Sequence, residues 1–195
     1  ICRSGVQITA DALQGNTRLR VIVRAGVGTD NIDKAAATRQ GILVMNTPTG
    51  NTFSTAEHTL TLLLALSRNV APAFLSLQEG RWDRKKYMGS QLANKVLGIV
   101  GLGRIGLEVA KRAQAFQMKL LGYDPFLTVE QASKIGIELC DTVDQMLPHV
   151  DYLTVHTPLN SQTKDLIGHA ELDIVLSHAL LLKGKLHDLK HERAK

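Results

Sequence analysis

Lys95-Val96-Leu97-Gly98-Ile99-Val100-Gly101-Leu102-Gly103-Arg104-Ile105-Gly106 is the stretch that decides the fold of this chain. The apolar residues up to Val100 read as a short buried strand. Positions 107–116 read as a helix, with Leu107, Val109, Ala110, Ala113 and Phe116 apolar. A second strand over 118–123 ends in Asp124, which lies 18 positions after Gly106. That order and spacing is the pattern of a dinucleotide-binding β-α-β unit. Gly101 makes the tight turn, Gly103 lets the backbone approach a pyrophosphate, and Gly106 lets helix and strand pack closely. The unpaired N–H groups and the dipole at the helix start then hold the phosphate charge. A carboxylate at Asp124 accepts hydrogen bonds from an adenosine ribose and repels a 2′-phosphate, which favours NAD over NADP.

Outward from this unit, helices and strands alternate, the mark of an α/β chain with a mainly parallel sheet. Upstream, Thr9 caps a helix over 10–14, and 19–24 form a strand followed by the glycine turn Ala25-Gly26-Val27-Gly28. Asp30 or Asn31 caps a short helix through 35–39, Gly41 ends it, and 42–45 form the next strand. The polar loop 46–51 is where the chain crosses between domains. Ser54 and Glu57 have the spacing of a capping box for a long helix. Leu60, Leu62, Leu63, Leu64, Ala65 and Leu66 make that helix apolar nearly all round, so it is expected to be buried on most sides, between domains or subunits. Pro72 is expected to kink or end it, with a second helical stretch to Gly80. Downstream come a helix over 129–135, a strand near Ile137, a helix over 143–147 and a strand over 151–155, closed by His156-Thr157-Pro158. The chain from Val96 thus supplies strands one to four of a doubly wound sheet.

Composition sets the outer limits. The 195 residues are 44% hydrophobic and 21% charged, ordinary for a globular chain long enough to bury a core. The net charge of +5 is mild and no basic run is interleaved with aromatics, which argues against nucleic acid as a partner. No apolar run has the length of a membrane span, and no signal peptide is visible. Cys2 and Cys140 cannot build a disulfide framework, and no metal-ligand set is present, so both read as reduced packing residues and the expected location is cytoplasmic. The chain opens on Ile1, and residues 1–4 already look like the end of a strand, so it reads as a fragment.

Over residues 3 to about 172 the chain resembles the D-isomer-specific 2-hydroxyacid dehydrogenases. The matching segments are Arg3-Ser4, Arg24-Ala25-Gly26-Val27-Gly28, Gly41 to Pro48, Gly80-Arg81-Trp82, the glycine loop, Gly122-Tyr123-Asp124-Pro125 and Val155-His156-Thr157-Pro158-Leu159. Arg84-Lys85-Lys86-Tyr87-Met88-Gly89 narrows the likeness to the branch that acts on 3-phosphoglycerate. The resemblance implies two lobes: residues 1–48 as the second part of a flavodoxin-like outer, substrate-binding domain, and 49–172 as an incomplete Rossmann-type NAD-binding domain with the dimerisation helix. Residues 173–195 form a divergent tail, which looks like an alternative exon, a frame change or an early stop.

The implied reaction is NAD-dependent oxidation of 3-phosphoglycerate to 3-phosphohydroxypyruvate, the first step of phosphorylated serine biosynthesis. By resemblance Arg3, Arg24, Gly26 and Arg84 meet the anionic substrate, where a guanidinium gives a planar, charge-assisted grip. Val27, Gly101, Gly103, Arg104, Ile105, Gly106, Asp124 and Thr157 meet the cofactor. Val27 stands where the compared sequence carries threonine, so only its backbone role carries over. His156 reads as a packing histidine and Trp82 as a packing aromatic. The family's catalytic arginine, glutamate and histidine belong after residue 172, and the tail has none of their motifs; His178, His187 and His191 lack the matching context. No catalytic residue is therefore assigned, and the chain alone is expected to be inactive. The alternatives are a non-catalytic NAD-binding module, related to the family's corepressors or dimerising with full-length enzyme, and a dehydrogenase of the glyoxylate or lactate type.

Overall fold

The computed structural model describes residues 1–178, with side chains through 174, so the tail beyond 178, with His187 and His191, lies outside the described residues. The chain divides into two compact units, Ile1–Thr52 with Pro158–Lys164, and Phe53–Thr157 with the chain from Asp165 onward.

In the first unit Thr9 caps α1 (Ala10–Leu13), its side chain accepting the Ala12 N–H. Two parallel strands follow, β1 (Val21–Arg24) and β2 (Leu43–Asn46), in a register that sets Arg24 opposite Asn46. Between them runs α2 (Lys34–Arg39). Leu13, Ile22, Ile32, Ala36, Ala37 and Ile42 form the core. The cap of α2 is Asp33, whose Oδ1 accepts the Ala36 N–H at 2.8 Å, and neither Asp30 nor Asn31. Asn31 is instead drawn inward to bond two carbonyls of the preceding loop.

The second unit opens on α3 (Thr52–Ser67) and α4 (Val70–Gln78). Its sheet contains β3 (Val96–Val100), β4 (Lys119–Tyr123), β5 (Glu138–Leu139) and β6 (Tyr152–Val155), parallel throughout in the order β5-β4-β3-β6. Helices α5 (Arg104–Ala115), α6 (Val129–Lys134) and α7 (Val143–Met146) connect the strands, and α8 (His169–His178) follows β6. One side of the sheet packs Leu97, Ile99 and Leu120 with Ala56 and Leu60 of α3 and Val109, Ala110 and Ala113 of α5. The other buries Val100 with Val143, Met146, Leu147 and Val150. Cover on both faces is why these strands are apolar runs and not alternating ones.

One expectation changes here. Helix α3 begins at Thr52, so Ser54 lies inside it and is not a cap. The kink or end expected from Pro72 is present just ahead of it: α3 stops at Ser67, Asn69 turns in the left-handed region with φ 53°, and Pro72 sits in the first turn of α4. A first-turn residue has no intrahelical N–H bond to lose, so proline is tolerated there. The two helices meet at 62°. Within this single chain α3 has a buried side at Leu60, 5% exposed, and an open side at Leu62 and Leu66, 57% and 41% exposed. On α4, Phe74, Leu75 and Leu77 are exposed as well. Among the described residues no single helix is long and apolar enough to cross a membrane.

Candidate functional site

The loop between β3 and α5 is shaped by its glycines. Gly101 has φ 91°, a conformation that L side chains rarely adopt, and its N–H donates to the Tyr123 carbonyl at 2.8 Å. Thr157 lies against the same turn: a Cβ on Gly101 would come within 3.0 Å of Thr157 Cγ2. Gly106 is packed still harder, since a Cβ there would sit 2.1 Å from the Gly101 carbonyl oxygen. Gly103 is the opposite case, with nothing within 4 Å of where its Cβ would be. It is also the N-cap of α5 and supplies no side-chain cap, so the first-turn N–H groups are not satisfied from that position. Open space over a backbone turn at a helix start fits a pyrophosphate. Arg104 is exposed beside it, whereas Ile105 packs against the core and offers only its backbone.

Asp124 directly follows β4 and is fixed on both oxygens. Oδ2 accepts the Leu102 N–H at 2.8 Å and Oδ1 the Phe126 N–H at 2.8 Å. A carboxylate has about four lone-pair sites, so acceptor capacity remains for ribose hydroxyls. On the strand at the other side of β3, the His156 ring Nε2 and Thr154 Oγ1 share a hydrogen bond of 3.0 Å.

In the first unit Arg24 and Gly26 are brought together. The guanidinium crosses the α-carbon of Gly26, where a Cβ would fall 1.6 Å from Arg24 Nη1. Gly26 itself has φ 153°. Arg24 Nε is buried with no hydrogen-bond partner among the described residues. A buried, unpaired guanidinium nitrogen is a donor awaiting an anion. Arg3 follows Cys2, which bridges to Arg24 in parallel register, and its own side chain is exposed.

Two residues that hold this corner were not assigned to the site from the sequence. Asn31 Nδ2 donates to the Arg3 carbonyl at 3.1 Å and to the Val6 carbonyl at 2.7 Å. Asn46 Nδ2 donates to the Val27 carbonyl at 2.7 Å, fixing the glycine turn. Only the parallel pairing that sets Asn46 opposite Arg24 could have marked it. Arg84 is not placed with the glycine loop: it lines a groove on α4 with Phe74, Leu77, Trp82 and Tyr87. Among the described residues no group of three or more His, Cys, Asp and Glu could hold a metal ion.

Burial pushes the His156 imidazole below its ordinary value near 6.5. Because the folded pKa is depressed, the unfolded chain takes up the proton first on acidification. The contribution of His156 to stability is therefore complete above about pH 6.5 and falls as the pH drops toward the lower folded pKa. Unfolding midpoints measured from about pH 7.5 to about pH 5.5 should decline in the wild-type chain and decline less in His156→Gln. Equal slopes for the two chains would remove this role.

Residues 60–185 match the family described as the D-isomer specific 2-hydroxyacid dehydrogenase, NAD binding domain. The D-3-phosphoglycerate dehydrogenase of Methanocaldococcus jannaschii is 42% identical over 194 residues, which is 100% of this chain and 37% of that protein. The rat enzyme of the same name is 49% identical over 168 residues, 86% of this chain and 31% of its own length. The chain thus spans about a third of the curated relatives it matches. Among solved structures, a Granulicella formate dehydrogenase superposes with a TM-score of 0.82 at 29% identity, covering 86% of this chain and 46% of that one.

Proposed function

Because the chain belongs to the D-isomer specific 2-hydroxyacid dehydrogenase family and carries its NAD-binding domain, we propose that it is part of an enzyme that oxidises 3-phosphoglycerate to 3-phosphohydroxypyruvate. The observation that carries this reading is 42% identity across the whole chain to a D-3-phosphoglycerate dehydrogenase. The four strands of the second unit are then the first part of a Rossmann-type doubly wound sheet, and the first unit is part of a flavodoxin-like substrate domain. On this reading residues 1–48, 49–172 and 173–195 are the substrate part, the nucleotide part and a divergent tail.

When bound, NAD accepts the hydride leaving C2 of the substrate. The protein's part is to bind and orient. The N–H groups at Gly103, Arg104 and Ile105 hold the pyrophosphate, and Gly106 lets α5 stand close enough to present them. Gly101 and Thr157 shape the floor of the turn, while Asp124 takes the ribose hydroxyls. Arg24 grips the substrate carboxylate over the open α-carbon of Gly26, and Arg3 adds a second positive charge. Val27 contributes to cofactor binding through its backbone, as the family likeness implies. Arg84 serves a neighbouring subunit, since it lies in the groove beside exposed Trp82 and Phe74. The exposed side chains of Leu62, Leu66, Phe74 and Leu77 support pairing with a second copy or with full-length enzyme. A setting with reduced Cys2 and Cys140 is consistent with the cytoplasm.

The arginine, glutamate and histidine motifs that the family uses for acid–base work are not found in this sequence. The chain is therefore expected to bind NAD in calorimetry and to form no NADH from 3-phosphoglycerate. Binding of 3-phosphoglycerate should weaken about tenfold or more in Arg24→Ala, the loss of a charge-assisted contact. NADH formation at a rate abolished by Arg24→Ala would overturn the expected inactivity. Equal affinity of wild-type and Arg24→Ala chains for 3-phosphoglycerate would remove the substrate assignment. Sedimentation of the same preparation as a monomer would remove the pairing.

A further inference from the structure

Asp124 makes contacts that a ribose acceptor alone does not need. Its Oδ2 accepts the N–H of Leu102, the residue between the first two glycines of the loop, at 2.8 Å. Its Oδ1 accepts the N–H of Phe126 at 2.8 Å, which fixes the carboxylate's own orientation. The Leu102 side chain is buried, 3% exposed, and reaches under the sheet: a Cβ on Gly122 would meet Leu102 Cδ1 at 2.8 Å. Leu102 is thus held from β4 twice, by its side chain and by its N–H. The neighbouring Gly101 N–H is held by Tyr123, also of β4. With the Leu102 N–H committed to Asp124, an anion is left the N–H groups of Gly103, Arg104 and Ile105, and the carboxylate sets where those groups stand.

We propose that Asp124 is a positioning residue for the glycine loop as well as the ribose acceptor, so that cofactor choice and loop order rest on one side chain. The proposal rests on the reading of 101–106 as the pyrophosphate loop. Its consequence is that an exchange at Asp124 made to admit a 2′-phosphate also loosens the loop that holds the pyrophosphate.

Inorganic pyrophosphate separates the two roles, because it has no ribose. If Asp124 touched only the ribose, removing its negative charge would leave pyrophosphate binding unchanged or tighten it, since like charges repel. If it props the loop, Asp124→Ala weakens pyrophosphate binding despite the lost repulsion. The measurement is a titration of the 195-residue chain with pyrophosphate, followed by the amide signals of Gly103 and Ile105, with amide exchange at Leu102 read in the ligand-free chain. The expected result is about tenfold weaker pyrophosphate binding and about tenfold faster Leu102 exchange in Asp124→Ala, the scale of a lost charge-assisted bond. Asp124→Asn keeps one acceptor oxygen and should fall between. Exchange at Ile99 and Leu120 should stay slow in both variants, which separates a loosened loop from an unfolded domain; if Asp124→Ala does not fold, Asp124→Asn carries the comparison. Unchanged Leu102 exchange, or pyrophosphate binding as tight as wild type, would overturn the proposal. Failure of the wild-type chain to bind pyrophosphate would sink the loop's assignment instead, and the Leu102 exchange would then decide the prop by itself.

Discussion

Gly106→Ala is expected to abolish measurable NAD binding and to destabilise the second unit by about 2 kcal/mol. Two effects oppose each other. Alanine is the better helix former by about 1 kcal/mol. Against this, overpacking costs about 1–3 kcal/mol and occasionally more. The neighbour decides which wins: the added Cβ would sit 2.1 Å from the Gly101 carbonyl oxygen, and a backbone atom cannot rotate away as a side chain can. Relief requires α5 to move off the loop, which displaces the N–H groups that face the phosphates. Gly103→Ala is the control, because its Cβ would meet nothing within 4 Å. That chain should lose only the small stability of a glycine N-cap replaced by alanine, about 0.5–1 kcal/mol, and still lose NAD affinity, since the methyl group occupies the ligand's approach. Urea unfolding and calorimetry on the two variants measure both effects. Wild-type NAD affinity in Gly106→Ala would show that the close packing of helix and turn is not needed.

The second large effect is expected at Asn31, which is 3% exposed. Its Nδ2 ties together the Arg3 and Val6 carbonyls at 3.1 Å and 2.7 Å. Asn31→Ala removes both bonds and leaves a small void, a loss of about 2 kcal/mol. Asn31→Asp keeps the shape but turns an acceptor oxygen toward two carbonyl oxygens, in a place where a charge is poorly solvated. It should be the more damaging change although it is the more conservative in volume. Denaturant unfolding of both variants, with amide exchange at Ile8 and Asp33, tests this. Ile8 and Asp33 are informative because their N–H groups bond across the same corner, to Asn31 and Ile8 carbonyls at 2.8 Å each. An Asn31→Asp chain as stable as wild type would show that the corner is not closed by this side chain. The expected functional consequence is a displaced Arg3, read as weaker 3-phosphoglycerate binding.

How much of this was legible in the sequence differs between the two units. The dinucleotide unit could be read because its signals are local. The strand, glycine loop, helix and acid stand in order within 95–124, and β3, α5 and β4 fall within a few residues of the expected spans. Thr9 announced a helix start for the same reason, since a cap bonds an N–H about one turn away. The misreadings share the opposite property. Ser54 with Glu57 has capping-box spacing, but the helix already starts at Thr52. The cap of α2 was read at Asp30 or Asn31 and is Asp33, while Asn31 is taken up by carbonyls 25 and 28 positions away. Pro72 marked a kink or an end, and the break falls just before it, at Asn69.

The sequence by itself determined the parallel α/β character, the dinucleotide loop and the residue types that can grip an anion. Each follows from period, spacing and local backbone chemistry. Tertiary structure alone decided which polar groups are committed. It set Leu102 on Asp124, left Arg24 Nε without a partner among the described residues, and put Asn31 between two distant carbonyls. It also split the leucine-rich helix into a buried side at Leu60 and an exposed side at Leu62 and Leu66. Hydrogen bonds and burial depend on which distant groups arrive at one place, and a residue's neighbours in sequence carry no record of that.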